Sequence, residues 1–214
     1  KELLKDDTFL IVNGKIITDI DISDAVKAHK ESGAIATMIL KENAEFEKFT
    51  EVIVQNGEVK GFGSGFPIPN PKSQLQVPLM FTGIHIVEPR VFDYIPESGY
   101  SDIVPTFYNP AILNGEKILA HVTTGNWFEL STIPRYLDIS LAMMQSGNVC
   151  MGENCYVDET ASVTDSVLWD NVRIEKDATV RRAIIGDNVT IKSHEVFEDV
   201  AIVPAEIMEN VEIP

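Results

Sequence analysis

The chain has 214 residues and a formal net charge of -16, from 33 Asp and Glu against 17 Lys and Arg. A protein this acidic is a poor partner for nucleic acid, because non-specific binding needs Lys and Arg to neutralise phosphates. No apolar run reaches the roughly 18 residues that a membrane span needs. The only two cysteines are Cys150 and Cys155. So few cysteines favour a reducing compartment, and we expect a cytoplasmic protein.

The first part of the chain alternates predicted strands and helices. Residues 8–12 form a short apolar strand that ends at the turn residues 13–14. A helix is predicted from Ser23, a plausible N-cap, to Gly33, a plausible stop, and residues 34–40 form the next strand. A strand, a helix and a strand at this spacing predict a parallel βαβ unit.

Further elements follow up to residue 144. Asn56-Gly57 predicts a tight hairpin between two apolar runs, and residues 61–78 are rich in Gly and Pro and predict a loop. The remaining predicted elements are strands and short helices, at residues 81–87, 89–94, 118–122 and 134–144.

From Met151 onward the sequence repeats every 17 residues. The aligned columns combine aliphatic side chains with asparagines: Met151, Leu168, Ile185 and Ile202; Asn154, Asn171 and Asn188; Val157, Ile174 and Ile191; Val163 and Val180. Such a repeat predicts a β-helix with three short strands per coil, aliphatic side chains stacked inside and Asn at the corners. We therefore expect an α/β domain over residues 1–147 and a β-helix over residues 148–214.

Three segments in chain order resemble sugar-nucleotide pyrophosphorylases, the sugar-1-phosphate nucleotidyltransferases. Residues 9–14 resemble the strand and turn before a metal-binding Asp, and residues 81–86 resemble the strand whose Gly lies under the sugar. Residues 127–137 resemble the W-x-D-x-G-T motif and the helix after it. The resemblance is to the mannose-1-phosphate guanylyltransferase-like branch, and it covers nearly the whole chain.

The resemblance implies a fold, a reaction and a site. The fold is a partial Rossmann-like nucleotidyltransferase domain followed by a left-handed parallel β-helix of the hexapeptide type. A sugar 1-phosphate attacks a nucleoside triphosphate, pyrophosphate leaves, and the product of this branch is GDP-mannose. The reaction needs positioning and cations more than covalent chemistry, and the family uses Mg²⁺ held by two carboxylates. The implied substrate-binding residues are Asn13, Gly14, Thr82, Gly83 and Trp127.

The sequence departs from the family pattern at the phosphate side. No Gly-rich nucleotide loop precedes the first strand, so we expect the N-terminal part of the catalytic domain to be missing. Lys15 stands where the family has its first metal-binding Asp, and Glu129 stands at the second, where a weak metal role remains. The E-K-P sugar motif is replaced by residues 60–62. An ammonium repels a divalent cation, so Lys15 indicates an inactive or altered site, a substitute cation, or an exposed Lys without a role.

Two functions follow from these departures. In the first, the chain supplies the sugar side of a nucleotidyltransferase that binds a sugar 1-phosphate and a nucleoside triphosphate. The rest of that site comes from the missing half or a second chain, and this chain alone is inactive. In the second, the chain belongs to a non-catalytic regulatory or assembly subunit. A β-helix acyltransferase with His194 as its histidine is a third, weaker interpretation. We also expect a homo-oligomer.

Several other residues have a structural and a functional interpretation. Asp19 and Asp21 could bind a cation but are more typical of a helix N-terminus. His29 is expected on the surface, His85 in the core or a pocket. Trp127 is more typical of a core aromatic than of a stacking platform. The basic residues of the repeat predict a solvated face rather than an anion site: Arg173, Lys176, Arg181, Arg182 and Lys192.

Overall fold

The computed structural model describes residues 2–63, 77–144 and 147–205. The chain divides into two compact units, Lys1–Phe128 and Glu129–Pro214. Across the three described ranges, no helix is both long and apolar enough to cross a membrane. The two units together give an α/β fold followed by a left-handed β-helix, as the sequence predicts.

The first unit is built around a mixed six-stranded sheet. Its strands and helices are β1 (Phe9–Val12), β2 (Ile16–Thr18), α1 (Ser23–Ser32), β3 (Ala36–Glu42), β4 (Val52–Gln55), β5 (Glu58–Phe62), β6 (Leu79–Val87), α2 (Asn109–Leu113), β7 (Ile118–Val122) and β8 (Trp127–Glu129). A 3-10 turn (Pro89–Asp93) and a π-helical turn (Val104–Tyr108) lie between β6 and α2. The strand order is β1-β6-β3-β7-β5-β4, and β2 pairs with β8 in a separate ribbon.

The predicted βαβ unit is split by a third strand. β1 and β3 run in the same direction, but β6 lies between them and pairs antiparallel with both. β6 takes this central place because most of its nine residues are buried, which suits a strand covered on both faces. The parallel neighbour of β3 is β7. The helix after β1 thus predicted the direction of the next strand but not its partner.

The ends of α1 test the predicted caps. Gly33 ends the helix in the left-handed conformation with φ 67°, as predicted. The predicted N-cap is wrong by one residue, because Ser23 already lies within the helix and Ile22 precedes it without a side-chain cap. Asp21 satisfies the helix start instead, since its Oδ1 accepts a hydrogen bond from the Ser23 backbone N at 2.8 Å. Hydrogen bonds from the side chain and the backbone of Ser23 lower the pKa of Asp21.

Two apolar layers cover the faces of the large sheet. One contains α1 against Ile39, Ile84 and Ile86. The other contains the π-helical turn and α2 against the opposite face, and Phe107 and Tyr108 are fully buried there. The predicted Gly- and Pro-rich loop is described only at its ends, where Gly61 and Phe62 belong to β5, and residues 64–76 lie outside the described residues.

The prediction of a surface position for His29 is wrong. His29 is 2% exposed and lies on the face of α1 that packs on the sheet. Its Nδ1 lies 2.8 Å from Thr37 Oγ1, and its Nε2 lies 3.0 Å from Glu88 Oε1. A hydroxyl, an imidazole and a carboxylate in this order resemble a nucleophile with its base, but Thr37 is fully buried and no substrate can reach it. The arrangement therefore ties α1 to the sheet.

The second unit begins with a helix and continues as a β-helix. Its elements are α3 (Ile133–Ala142), β9 (Val149–Met151), β10 (Tyr156–Val157), β11 (Ser162–Thr164), β12 (Ser166–Leu168), β13 (Arg173–Ile174), β14 (Thr179–Arg181), β15 (Ile184–Ile185), β16 (Thr190–Ile191), β17 (Val196–Glu198) and β18 (Ala201–Ile202). Three parallel sheets result, with orders β10-β13-β16, β11-β14-β17 and β9-β12-β15-β18. Each side of the coil therefore stacks on its copy one coil away.

The register of these sheets confirms the 17-residue period. Val157 pairs with Ile174, and Ile174 pairs with Ile191. Ile174 is fully buried and Ile191 is 2% exposed, so this column points inward as predicted. The predicted pair of Val163 and Val180 gains Phe197 in the next coil, which the sequence alignment did not include.

Left-handed residues mark the corners of each coil. In the middle coil they are Asn171, Asp177, Arg182 and then Asn188, with φ between 47° and 59°. The steps between these corners are six, five and six residues, which add up to the 17-residue period. One side of the triangle is thus a residue shorter than in a strict hexapeptide repeat. The predicted Asn corner is confirmed, because Asn154, Asn171 and Asn188 all have positive φ.

Helix α3 packs on the outer face of one solenoid sheet. Its Leu137 contacts the outward side chains Val167 and Ile184 in a small apolar cluster. Thr132 caps the helix, since its side chain accepts a hydrogen bond from the Arg135 backbone N. The first repeat strand starts at Val149, close to the predicted boundary at 147/148, but this packing extends the compact unit back to Glu129.

Candidate functional site

A bulge in β6 brings together four of the residues that the resemblance implies for substrate binding. Met38 pairs with His85 and Leu40 pairs with Phe81, so residues 82–84 of β6 stand opposite Ile39 alone. Bulges bend a strand and re-aim its side chains, and they are frequent beside active sites. Asn13, Thr82, Gly83 and Trp127 all meet here.

Gly83 takes the conformation that the bulge requires. Its φ is +78°, which residues with a Cβ rarely adopt. Space is also lacking, because a Cβ on Gly83 would lie 2.4 Å from Asn13 Nδ2. The Asn13 backbone N donates to the Gly83 carbonyl oxygen at 3.0 Å. The end of β1 is thereby fixed against the bulge, with Asn13, Gly14 and Lys15 exposed to solvent.

Thr82 repairs the hydrogen bonds that the bulge interrupts. Its hydroxyl donates to the Ile39 carbonyl oxygen at 2.8 Å and accepts from the Ile84 backbone N at 3.3 Å. The residue is 1% exposed. The Thr82 side chain thus stabilises the sheet. The contact of Thr82 with the implied substrate residue Trp127 is made by its backbone carbonyl oxygen.

Trp127 contacts the bulge of β6 at Thr82. Its Nε1 donates to the Thr82 carbonyl oxygen at 2.8 Å, and its ring meets Phe49 edge-on with centroids 5.5 Å apart. Trp127 is 8% exposed. A ring this buried behaves as a core aromatic, which is the structural interpretation favoured from the sequence.

The segment before Trp127 is held by Asp19. Asp19 Oδ1 accepts from the Asn126 backbone N at 2.6 Å, and Oδ2 accepts from Asn126 Nδ2 at 2.7 Å. Thr18 Oγ1 donates to the Asn126 carbonyl oxygen, and Lys41 Nζ donates to the Gly125 carbonyl oxygen, both at 2.7 Å. The bond from the Asn126 side chain is the largest cause of the lowered pKa of Asp19. Asp19 is therefore engaged by protein groups rather than arranged for a cation.

A hollow beside the bulge was not predicted from the sequence. It has a volume of about 360 Å³, and aromatic and aliphatic side chains make up most of its wall. Its lining consists of Phe49, Thr50, Phe62, Phe81, Asp102, Val104 and Pro105. The three phenylalanines come from separate strands and loops, so no local spacing could have grouped them. The only sequence signal was indirect, since Phe62 occupies the neighbourhood of the missing E-K-P motif.

Lys15 and Glu129, which stand at the two metal positions of the family, belong to different units. Glu129 ends β8, and its carbonyl oxygen accepts a hydrogen bond from Arg135 Nε at 3.1 Å. Within the described part of the chain, no group of three or more His, Cys, Asp or Glu side chains could hold a metal ion. A Lys and a Glu at the two metal positions also do not supply the oxygen ligands that Mg²⁺ requires. The residues present therefore do not fit the magnesium site of the family.

The charged side chains of the β-helix pair with one another across coils. Arg182 Nε lies 3.0 Å from Asp199 Oδ1, and Lys192 Nζ lies 3.4 Å from Glu175 Oε1. Arg181 pairs with Glu198. These contacts agree with a solvated face rather than an anion site. His194 is also exposed, with its Nδ1 3.7 Å from Asp177 Oδ2.

Comparison with known proteins shows which proteins the chain resembles. The family model of the GMPPB C-terminal domain matches residues 138–213. UTP-glucose-1-phosphate uridylyltransferase of Synechocystis sp. is 29% identical over 180 residues, which cover 79% of this chain and 44% of the relative. Mannose-1-phosphate guanylyltransferase 1 of Arabidopsis thaliana is 27% identical over 174 residues, which cover 75% of this chain and 45% of the relative.

The chain is similar to sugar-nucleotide pyrophosphorylases over 75 to 79% of its length. This similarity supports the resemblance that the strand, glycine and tryptophan segments indicated. The matched family model covers the β-helix and the last residues of α3. The chain spans less than half the length of the curated pyrophosphorylase relatives it matches.

Proposed function

We propose that this chain supplies the sugar side of a sugar-1-phosphate nucleotidyltransferase, which makes a nucleotide sugar and pyrophosphate. The observation that carries the proposal is the aromatic hollow beside the β6 bulge. Phe81 lines the hollow, and Gly83, two residues further along β6, lies against Asn13. An aromatic hollow beside the exposed turn at Asn13 suits a ligand with a ring at one end and a phosphate at the other.

The hollow has the chemistry of a sugar site. Ligand pockets combine mostly apolar walls with a few placed polar groups. The half-buried rings of Phe49 and Phe81 offer apolar surface to the C–H faces of a sugar. The Asp102 carboxylate and the Thr50 hydroxyl can bind sugar hydroxyls. Mannose and glucose fit this chemistry equally, and GDP-mannose is the product we propose.

Lys15 is the group we assign to the phosphate. It follows Asn13 and Gly14 beyond the carboxyl end of β1, where open α/β sheets bind their ligands. Lys binds phosphate as a point charge, so it can replace part of the charge of a metal ion.

The rest of the reaction needs groups outside these residues. We propose that a nucleoside triphosphate binds to a further part of the polypeptide or to a second chain, in a cytoplasmic homo-oligomer. No Gly-rich phosphate-binding loop occurs in this sequence, so we expect the 214-residue chain alone to release no pyrophosphate.

Binding of sugar 1-phosphates to the 214-residue chain tests the proposal. We expect titration calorimetry with mannose 1-phosphate and glucose 1-phosphate to show saturable binding, and Phe81→Ala and Asp102→Asn to weaken it. Asp93→Asn is a matched control, because Asp93 is exposed and does not line the hollow. No binding of either sugar phosphate to the wild type would contradict the proposed function.

Lys15 also supports a second function, that of a non-catalytic subunit. The test is pyrophosphate release by a protein extended to the length of its relatives, in wild type, Lys15→Asp and Lys15→Gln forms. A carboxylate at residue 15 should raise Mg²⁺ affinity and turnover, because carboxylates hold the cation that Lys repels. Strong wild-type turnover that Lys15→Asp abolishes would show that Lys15 is catalytic and would exclude the non-catalytic subunit.

A further inference from the structure

We propose that Asp19 and Trp127 are positioning residues that shape the aromatic hollow through Asn126 and Phe49. The role of the hollow in sugar binding rests on the proposed function, but the positioning itself does not. Neither Asp19 nor Trp127 lines the hollow. Both act through a continuous series of contacts within the first unit.

The series starts at a clamp on residue 126. Asp19 accepts two hydrogen bonds from Asn126, one from its backbone N and one from its side chain, while the Asp19 backbone N donates to the Asn126 carbonyl oxygen at 3.3 Å. The neighbouring Gly125 is packed so closely that a Cβ would lie 2.9 Å from Ile20 Cα. The backbone of residues 125 and 126, directly before Trp127, is therefore fixed in position.

The clamp fixes the ring of the next residue. Trp127 follows Asn126 directly, and its indole is held at its own polar end by the Thr82 carbonyl oxygen. With 8% of its surface exposed, Trp127 offers too little face for a base or a sugar to stack on. Its contact with Phe49 is its route to the hollow.

Phe49 transmits the position of Trp127 to the ligand. One side of the Phe49 ring meets Trp127, and Phe49 also lines the hollow together with Thr50. If the clamp is released, Trp127 loses its fixed backbone and Phe49 loses its support. The sugar end of the ligand should then be misplaced, while groups that bind the nucleotide should be unaffected.

The chain offers a direct spectroscopic test, since its two tryptophans lie in different units. In a Trp169→Phe background, Trp127 is the only indole. We expect Asp19→Ala to shift its emission to longer wavelength and to increase its quenching by acrylamide. Asp21→Ala is the matched control, because Asp21 holds Ser23 rather than Asn126. Unchanged emission in Asp19→Ala would overturn the proposal.

A charge swap separates positioning from general loss of structure. Asn126→Asp alone sets two carboxylates against each other and should perturb the emission. Asp19→Asn combined with Asn126→Asp restores one carboxylate and one amide and should recover it. A double variant as perturbed as the single variant would count against the clamp.

Binding data show whether the clamp acts on the ligand. We expect Asp19→Ala to raise the dissociation constant for the sugar 1-phosphate on the order of tenfold, because the loosened Phe49 side chain must be ordered again when the ligand binds. The double swap should restore affinity. An emission shift without a change in affinity would overturn the link from Phe49 to the ligand. If the wild type binds no sugar 1-phosphate, the proposed function fails, whereas the emission shift still upholds the positioning.

Discussion

The two units differ in how far apart along the chain their partners lie. In the β-helix every stacked pair is separated by 17 residues, as in Ile174 with Ile191. In the α/β unit the decisive partners have no common spacing. Asn13 meets Gly83, Asp19 meets Asn126, and Trp127 meets Thr82. With a fixed spacing, the same set of contacts is repeated in every coil. With irregular spacings, each contact occurs once, and together the contacts form one particular site.

The consequence is a division of labour. The repeat unit is stabilised by a column of similar aliphatic side chains and by charge pairs between neighbouring coils. The α/β unit carries the features that occur once, which are the bulge, the clamp and the hollow. The two tryptophans allow each unit to be followed separately, because Trp127 lies in the first and Trp169 in the second.

The largest effect should come from a charge inside the β-helix. Ile174 is fully buried between Val157 and Ile191, and Ile174→Asp would place a carboxylate there without a partner. We expect a loss of roughly 4 kcal/mol or more in the free energy of unfolding. Urea unfolding of a Trp127→Phe background, followed by Trp169 fluorescence, measures it.

The adjacent residue is the control for this change. Arg173 is exposed and its guanidinium lies 4.4 Å from the Tyr156 ring centroid. Arg173→Ala should cost at most about 1 kcal/mol, the range of an exposed cation–π contact. Equal losses for the inward and outward positions would refute the alternation of the coil.

A buried histidine should make the α/β unit sensitive to acid. Burial lowers the pKa of His85 to about 4, and its Nδ1 lies 2.6 Å from the Tyr108 hydroxyl. His85 is 3% exposed. The unfolded chain takes up a proton near pH 6.5, while the folded chain does so only near pH 4. Stability is therefore full above pH 6.5 and falls by about 3 kcal/mol as the pH drops to about 4.

Removal of the pair isolates this contribution. The double variant His85→Phe/Tyr108→Phe replaces both polar partners with rings of similar shape, which can be nearly neutral for stability. Trp127 fluorescence in a Trp169→Phe background follows unfolding at pH 7 and pH 4.5. The same loss of stability with pH in both proteins would exclude His85 as the cause.

These two predictions show what the sequence could and could not reveal. The inward column that holds Ile174 was predictable, because one side chain repeats at a constant interval in an otherwise similar setting. For His85 the sequence did not decide between a core position and a pocket position. The structure shows a buried side chain that is 3% exposed. The surface position expected for His29 was wrong, since a polar residue on a helix gave no sign of its two buried partners.

Some parts of the candidate site were also predictable from the sequence, and others were not. Gly83 and Trp127 were found through local motifs, and the structure places them together. The hollow was missed because Phe49, Phe62 and Phe81 come from three separate segments of the chain. A bridge between Glu51 and Met80 and a hydrogen bond from the Gly63 backbone N to the Glu51 carbonyl oxygen bring these segments together, and no local spacing predicts such long-range contacts.

A methyl group at the bulge should have a smaller effect than either change above. Gly83→Ala forces a left-handed alanine and a Cβ only 2.4 Å from Asn13 Nδ2. We expect a loss of about 2 to 3 kcal/mol, from roughly 1–2 kcal/mol of backbone strain and the remainder from the clash. Thermal unfolding followed by Trp127 measures the loss. Asn13→Ala/Gly83→Ala should recover the part due to the clash, and no recovery would show that Asn13 does not limit the space.

The smallest effect compares one backbone conformation in both units. Asn171 has φ 59° at a coil corner, and Gly33 has φ 67° at the end of α1 with nothing within 4 Å of a Cβ. Alanine is strained in this region by roughly 1–2 kcal/mol, so Asn171→Ala and Gly33→Ala should each cost about 1 kcal/mol. Asn171→Gly removes the strain but also removes the side chain, which bonds Asn188 Oδ1 at 3.2 Å.

The difference in unfolding free energy between Asn171→Ala and Asn171→Gly therefore measures the strain of the left-handed backbone. The loss caused by Asn171→Gly measures the hydrogen bonds between the stacked side chains of Asn154, Asn171 and Asn188, which we call the side-chain ladder. If the corners of the β-helix need only a left-handed backbone, Asn171→Gly should be within about 0.5 kcal/mol of the wild type. A loss equal to that of Asn171→Ala would mean that the side-chain ladder holds the coils together. The β-helix would then depend on specific contacts as much as the α/β unit does.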